Sequence, residues 1–157
     1  MERARPRDVA FLRAALDMQF GGRAREVAEE LAERLWVTRY AGGSPRAFYL
    51  DGREPYFYVD ARLGRLTLSE HSAKLVFERC EGKRIIVDGE IFEKFAKNVV
   101  LAPAVKAVSE DVRAGDEVFI VDERGRLLAL GKALISAEEL RGLKRGEVAR
   151  IRRRLGT

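Results

Sequence analysis

Apolar positions recur with a helical period over the first twenty residues. Val9, Leu12, Leu16 and Phe20 form one stripe behind Pro6, a residue tolerated in a first helical turn, and Gly21-Gly22 ends the pattern. The spacing returns in Val27, Ala28, Leu31 and Leu35, with glutamates and arginines opposite, and predicts a second amphipathic helix from Arg23 to about Trp36. After Gly42-Gly43 the period shortens. The runs AFYL, PYFYV and RLTL are rich in β-formers and are separated by Asp51-Gly52 and by Arg62-Leu63-Gly64, which predicts a small antiparallel sheet with a tight hairpin at Asp51-Gly52. Ser69 caps a third helix, SEHSAKLVFER, with Ala73, Val76 and Phe77 turned inward. Tyr49, Tyr56, Phe57 and Tyr58 either offer a stacking surface for bases or fill the core, and strand alternation assigns about half of them to the core.

Glu81-Gly82 marks a boundary, so the chain is read as an N-terminal domain over residues 1–82 and a second domain over 83–157. The second half runs from the strand RIIVDG through an amphipathic turn with Ile91, Phe92 and Phe95 to VVLAPAV. DEVFIVDE, a turn near Arg124-Gly125, RLLALGKAL, a short helix SAEEL and EVARIRR follow. Short strands with turn signals every eight to twelve residues describe a small closed or nearly closed barrel. The fold class is α+β: an N-terminal α/β domain with a small antiparallel sheet, followed by a mostly β domain.

Composition narrows the picture. With 46% hydrophobic residues, 157 residues suffice for a packed core without staples. The chain has no apolar stretch long enough to span a bilayer, and its N-terminus mixes acids, a proline and arginines where a signal peptide needs an apolar run, so the expectation is a cytoplasmic protein with no membrane partner. Cys80 and His71 are the single cysteine and histidine and support neither a zinc site nor a Cys-His nucleophile; no metal and no cofactor are expected. The charged fraction of 35%, the excess of arginine over lysine, and Gln19 and Asn98 as the only side-chain amides suggest a thermophilic source. Net charge is +5, yet residues 141–157 alone hold seven basic groups against one acid. Such a tail is either a solvated basic end or a footprint for phosphates.

From Arg84 onward the motifs IIVDGE, KNVVLAPAV, VRAGDEVFIVDERGRLLALGKALIS and LKRGEVARI resemble, in order, the PUA domain, a small RNA-binding pseudobarrel. RAGDEV followed about a dozen residues later by LALGKAL is the most specific part. Gly115 permits the turn before a central strand, Asp116 can bond backbone in that turn, and Gly131 lets a backbone approach closely. In the first half LRAALDMQFGG, the GSPRAFYLDG hairpin and RLGRLTLS resemble the region preceding the PUA domain in archaeosine tRNA-guanine transglycosylases. The catalytic barrel that those enzymes carry in front exceeds what 157 residues can hold. The chain departs from the PUA pattern at Lys97, where glycine is frequent before the residue matching Asn98, and at Pro103-Ala104, where Pro-Gly is frequent.

The resemblance implies an RNA-binding face built from the first short helix, the loop and strand after it, and the end of the barrel. On matched positions these are Lys94, Lys97 and Asn98, then Lys132, Lys144 and Arg145, with Arg150, Arg152 and Arg153 behind them. Alternation places Val148, Arg150 and Arg152 on one face unless a bulge intervenes. Phosphate contacts of this kind read RNA shape more than base sequence. No catalytic residue is assigned: Asp17, Asp51, Asp60 and Asp116 lack a spacing that compels a pair, and no phosphate-cradling glycine motif is present. The resemblance implies a non-catalytic protein that recognises structured RNA, tRNA first, in archaeosine modification, with a separate catalytic transglycosylase subunit as partner. The alternative is a ribosome-biogenesis or translation factor that uses the same domain on ribosomal RNA.

Overall fold

The computed structural model describes residues 1–95 and 98–155, with the Phe95 side chain outside the description. Two compact units divide it, Met1–Glu81 and Gly82–Thr157.

In the first unit a short strand β1 (Glu2–Arg3) precedes helix α1 (Pro6–Phe20), which buries Leu12, Leu16 and Phe20 as its stripe requires. Asp8 lies in its first turn and accepts the Arg5 amide at 2.8 Å; only 2% exposed, it also accepts hydrogen bonds from the two terminal nitrogens of the Arg39 guanidinium at 2.9 and 2.7 Å. The second helix is shorter than its spacing predicts. α2 covers Glu26–Leu31, a 3-10 turn Ala32–Arg34 follows, and Leu35 and Trp36 belong to strand β2 (Leu35–Arg39). Leu35 satisfies a helical and a β period equally, and pairing with both β1 and β3 (Pro45–Leu50) decides for the strand.

β4 (Glu54–Val59) and β5 (Leu66–Leu68) complete an antiparallel sheet in the order β1-β2-β3-β4-β5. The β3–β4 hairpin turns through Asp51 and Gly52 at φ of 55° and 73°, the left-handed pair that suits the strand twist, and the Arg53 amide closes the turn on the Leu50 carbonyl at 3.0 Å. α3 (Glu70–Arg79) starts at Ser69, whose hydroxyl accepts the Ser72 amide, and with α1 lies against β4 and β5. The helix-facing row Val37, Phe48, Phe57 and Leu68 is fully buried and sits in direct cross-strand register.

In the second unit, β6 (Arg84–Val87), α4 (Gly89–Phe95), β7 (Val99–Leu101), a 3-10 turn Ala102–Ala104, β8 (Val105–Val108), β9 (Glu117–Val121), β10 (Leu127–Ala133), α5 (Ala137–Arg141) and β11 (Glu147–Arg154) follow one another. The strands form one mixed sheet, β7-β11-β10-β9-β6-β8, curled into a half-barrel around Ile85, Phe92, Val118, Ile120 and Val148. The pair β6–β9 is parallel and the other four are antiparallel.

Lys83 opens this unit at φ 58°, its amide bonded to Asp111 and its ammonium to Asp116 at 2.6 Å. Asp116 also accepts the Arg113 amide at 2.8 Å, and Gly115 turns at φ 90° into the interior strand β9, as expected for both residues. A side chain at Gly131 would put its Cβ 2.7 Å from the Arg150 carbonyl oxygen, so β10 and β11 approach there at a distance only glycine allows. No described helix is long and apolar enough to cross a membrane, and no group of three or more metal-ligating side chains occurs among the described residues.

Candidate nucleic-acid interface

β11 carries three of the eight basic residues that the sequence singles out, Arg150, Arg152 and Arg153, and two bulges decide which way they face. Pairing with β7 runs from Glu147↔Leu101 to Ala149↔Val100, so Val148 is an extra residue, and both Val148 and Ala149 enter the core. Pairing with β10 runs from Gly131↔Ile151 to Leu130↔Arg153, so Arg152 is a second extra residue. Arg150 therefore points away from a core that receives Val148, Ala149 and Ile151, and simple alternation of Val148 with Arg150 and Arg152 does not hold.

Arg150 is the direct cross-strand partner of Lys132 on β10 and of Val99 on β7. Both cations are exposed, and neither belongs to an ion pair among the described residues. Beside them Glu117, 9% exposed, is the partner of Lys132 on β9, and its carboxylate accepts Arg152 Nε at 2.6 Å. Arg152 is thus tied to the protein surface, while Lys132 and Arg150 present their charge to solvent. Arg154 lies at the barrel end, its guanidinium 4.7 Å from the ring centroid of buried Phe92, and contributes to packing there.

The remaining candidates flank this pair. The Asn98 carbonyl accepts the Ile151 amide at 2.8 Å, which anchors Asn98 beside Arg150 on the β7 side, with its side chain exposed. Lys144 and Arg145 are exposed in the turn between α5 and β11; Gly146 completes that turn at φ 107° and its carbonyl accepts the Ala102 amide at 2.9 Å. Five residues along a strand cover roughly 15 Å, so Arg145 and Arg150 mark out a strip rather than a single pocket. An apolar cleft lined by Ile91, Val99, Leu101 and Pro103 opens between α4 and β7.

Lys94 departs from the group. It lies in the last turn of α4 and lines a polar depression in which five acids, Asp88, Glu90, Glu93, Asp122 and Glu123, outnumber Lys94, Arg124 and Arg126. Burial pushes the Asp122 carboxyl up, but bonds from the Arg126 and Arg124 amides and the Arg126 side chain outweigh it and hold Asp122 below the usual carboxylate range. The depression is an acidic setting for a phosphate ligand. Lys97 lies outside the described residues. Glu117, which restrains Arg152, carries no sequence signal beyond its place at the start of a strand.

Comparison with known proteins places this geometry. Residues 83–155 match the PUA domain family. The tRNA-guanine(15) transglycosylase of Pyrococcus abyssi is 32% identical over 148 residues, covering 92% of this chain and 24% of that protein. The chain spans 21–31% of the length of these curated relatives. Among solved structures, a hypothetical protein from Pyrococcus horikoshii superposes with a TM-score of 0.66 at 21% identity, covering 96% of this chain and 92% of its own. A PUA domain protein from Thermoplasma acidophilum superposes with a TM-score of 0.55 at 24% identity, covering 85% and 89%. At such identities the structures speak for the fold alone. The second unit, with its bulged basic strand, is a PUA domain, in a chain similar from its first unit onward to the C-terminal region of archaeal tRNA-guanine(15) transglycosylases.

Proposed function

We propose that this chain is a non-catalytic RNA-binding protein that recognises structured RNA, tRNA before other RNAs, and that it serves archaeosine modification in the cytoplasm alongside a catalytic transglycosylase carried on a separate chain. The observation that carries the RNA-binding part is the Lys132–Arg150 pair. Glu117, opposite Lys132 on β9, is engaged by Arg152, so both exposed cations of the pair stay available to a polyanion laid across β10 and β11. Asn98, Lys144, Arg145 and Arg153 extend the strip, Lys97 is proposed with them from the sequence alone, Arg152 joins as a restrained cation, and Lys94 is the weakest member because of its acidic surroundings. Preference for tRNA is supported by similarity in both units to enzymes that act on tRNA guanine.

The test is binding of the purified protein to a full-length tRNA transcript and to a size-matched unstructured RNA across a salt series, with the variant Lys132→Ala/Arg150→Ala alongside. Preference for tRNA, and a log–log salt slope that falls by roughly 1–2 in the variant, supports the proposal. Equal binding of both RNAs with an unchanged slope rejects it. Copurification of a transglycosylase-like chain supports the modification pathway, whereas recovery with ribosomal particles replaces it with ribosome assembly.

A further inference from the structure

The first unit carries a second feature that the basic strip of the PUA domain does not use. Its sheet has two faces, and the helices take one. On the other, cross-strand register aligns two rows: Arg3, Trp36, Tyr49 and Pro55, and next to it Thr38, Ala47, Tyr58 and Thr67. Neither row contains a carboxylate. A bulge sorts the aromatic residues: Phe48↔Phe57 is followed by Tyr49↔Pro55, which makes Tyr56 the extra residue and turns it with Phe57 to the buried side, where its ring stacks on His71 of α3 at 5.7 Å. Tyr58 is left 44% exposed, and Tyr49 and Trp36 are partly exposed. An exposed tyrosine on a β-sheet, among half-exposed aromatics, offers flat ring faces to a ligand.

The charge around these rings has one sign. Arg3 lies 5.8 Å from the Trp36 ring centroid, and exposed Arg46 lies 5.8 Å from the ring of Tyr40. Neither arginine belongs to an ion pair among the described residues, and of the hairpin acids Asp51 is bound by Arg34 at 2.6 Å and Glu54 lies 3.2 Å from His71. Arg3 donates one N–H to the Glu33 carbonyl, but neither guanidinium is neutralised by a carboxylate, and aromatic faces flanked by such groups suit unpaired bases joined by phosphates, because every base has a π-face and each linker carries a negative charge. A duplex keeps its bases stacked internally and offers nothing to Tyr58.

We infer that the outward face of the first unit's sheet, centred on Tyr58 and Tyr49 and flanked by Arg3 and Arg46, is a second RNA-contacting surface that stacks single-stranded bases. It rests on the reading of the chain as an RNA-binding protein, and it assigns the unpaired part of a structured RNA to the first unit and the helical part to the PUA domain.

Trp36, the single tryptophan of the chain, lies in one of the two rows and serves as the reporter. The experiment titrates the full chain with a short single-stranded RNA and with a blunt RNA duplex of the same length, reading Trp36 emission, while anisotropy of a labelled tRNA is followed separately. The expected result is a saturable change in Trp36 emission with single-stranded RNA and none with duplex. Tyr58→Ala should weaken single-strand binding roughly 5- to 100-fold, corresponding to one lost base stack, with no change in the unfolding midpoint. Tyr58→Phe keeps the ring and should restore binding. The Lys132→Ala/Arg150→Ala variant should lose tRNA affinity yet keep the Trp36 response. An unchanged Trp36 signal at RNA concentrations that saturate tRNA anisotropy overturns this inference alone and leaves the face to a protein partner. Absence of both signals overturns the RNA-binding reading as well. A Tyr58→Ala variant that binds single-stranded RNA as tightly as the parent also overturns it.

Discussion

Lys132 and Arg150 face each other directly across β10 and β11, and neither belongs to an ion pair among the described residues, since Glu117, opposite Lys132 on β9, is bonded to Arg152. Charges arranged for stability alone alternate in sign across a ladder. Arg150→Glu makes the row that runs from Glu117 through Lys132 alternate in sign throughout, and should raise the unfolding free energy by roughly 0.2–1 kcal/mol while weakening RNA binding. Thermal unfolding and tRNA titration of the same sample check both directions. A variant that is destabilised, or that binds RNA as before, means the pair has a structural role instead.

Glu117 restrains Arg152 from a position that is nearly buried, its side chain 8% exposed against 34% for the arginine. Glu117→Gln leaves Arg152 without its carboxylate and is expected to cost about 1–2 kcal/mol, less than a fully buried pair because Arg152 can turn to water. Urea unfolding with an unchanged m-value measures this cost. The same change should strengthen RNA binding at low salt, since one negative charge leaves the strip.

The first unit has an acid-sensitive bond. Two hydrogen bonds from the Arg39 guanidinium hold the Asp8 carboxyl below its usual range, against the opposing effect of burial, and the Arg5 amide adds to them. A depressed carboxylate contributes its full stabilisation above the ordinary aspartate value of about 3.9, and that contribution disappears as pH falls through the folded-state value. Stability of the parent should therefore decline on acidification below about pH 4, where Asp8 begins to bind protons in the unfolded chain but not in the folded one. Asp8→Asn should lose about 3 kcal/mol at neutral pH and show a shallower decline in acid. Parallel stability–pH curves for the two proteins would exclude Asp8 as the source.

Gly131 allows the Arg150 carbonyl to approach within 2.7 Å of where a Cβ would stand. Gly131→Ala sets that methyl group against backbone, which cannot rotate away, so β11 must shift. The expected cost is about 1–3 kcal/mol, with weaker tRNA binding because Arg150 moves with its strand. Amide exchange at Ile151, the partner of Gly131, should accelerate in this variant; unchanged exchange would show that the strand had not moved.

Much of this was legible in the chain. The stripe Leu12, Leu16 and Phe20, the Asp51-Gly52 turn, the Ser69 cap and the order of motifs after Arg84 predicted elements that form, because helix period, left-handed turn chemistry and capping are set by neighbours within a few residues. The same local information cannot report a bulge. The extra residues Tyr56, Val148 and Arg152 exist only where one strand must follow another of different curvature, and each turns a side chain to a face that alternation assigns elsewhere. Leu35 and Trp36 fit a helix by spacing and became a strand because β1 and β3 offered hydrogen bonds on both sides. The sequence by itself determined which basic and aromatic residues were available. The tertiary structure decided that Lys132 meets Arg150, that Arg152 is held by Glu117 and that Tyr58 rather than Tyr56 faces outward, since pairing register and burial are properties of whole sheets and not of any one strand.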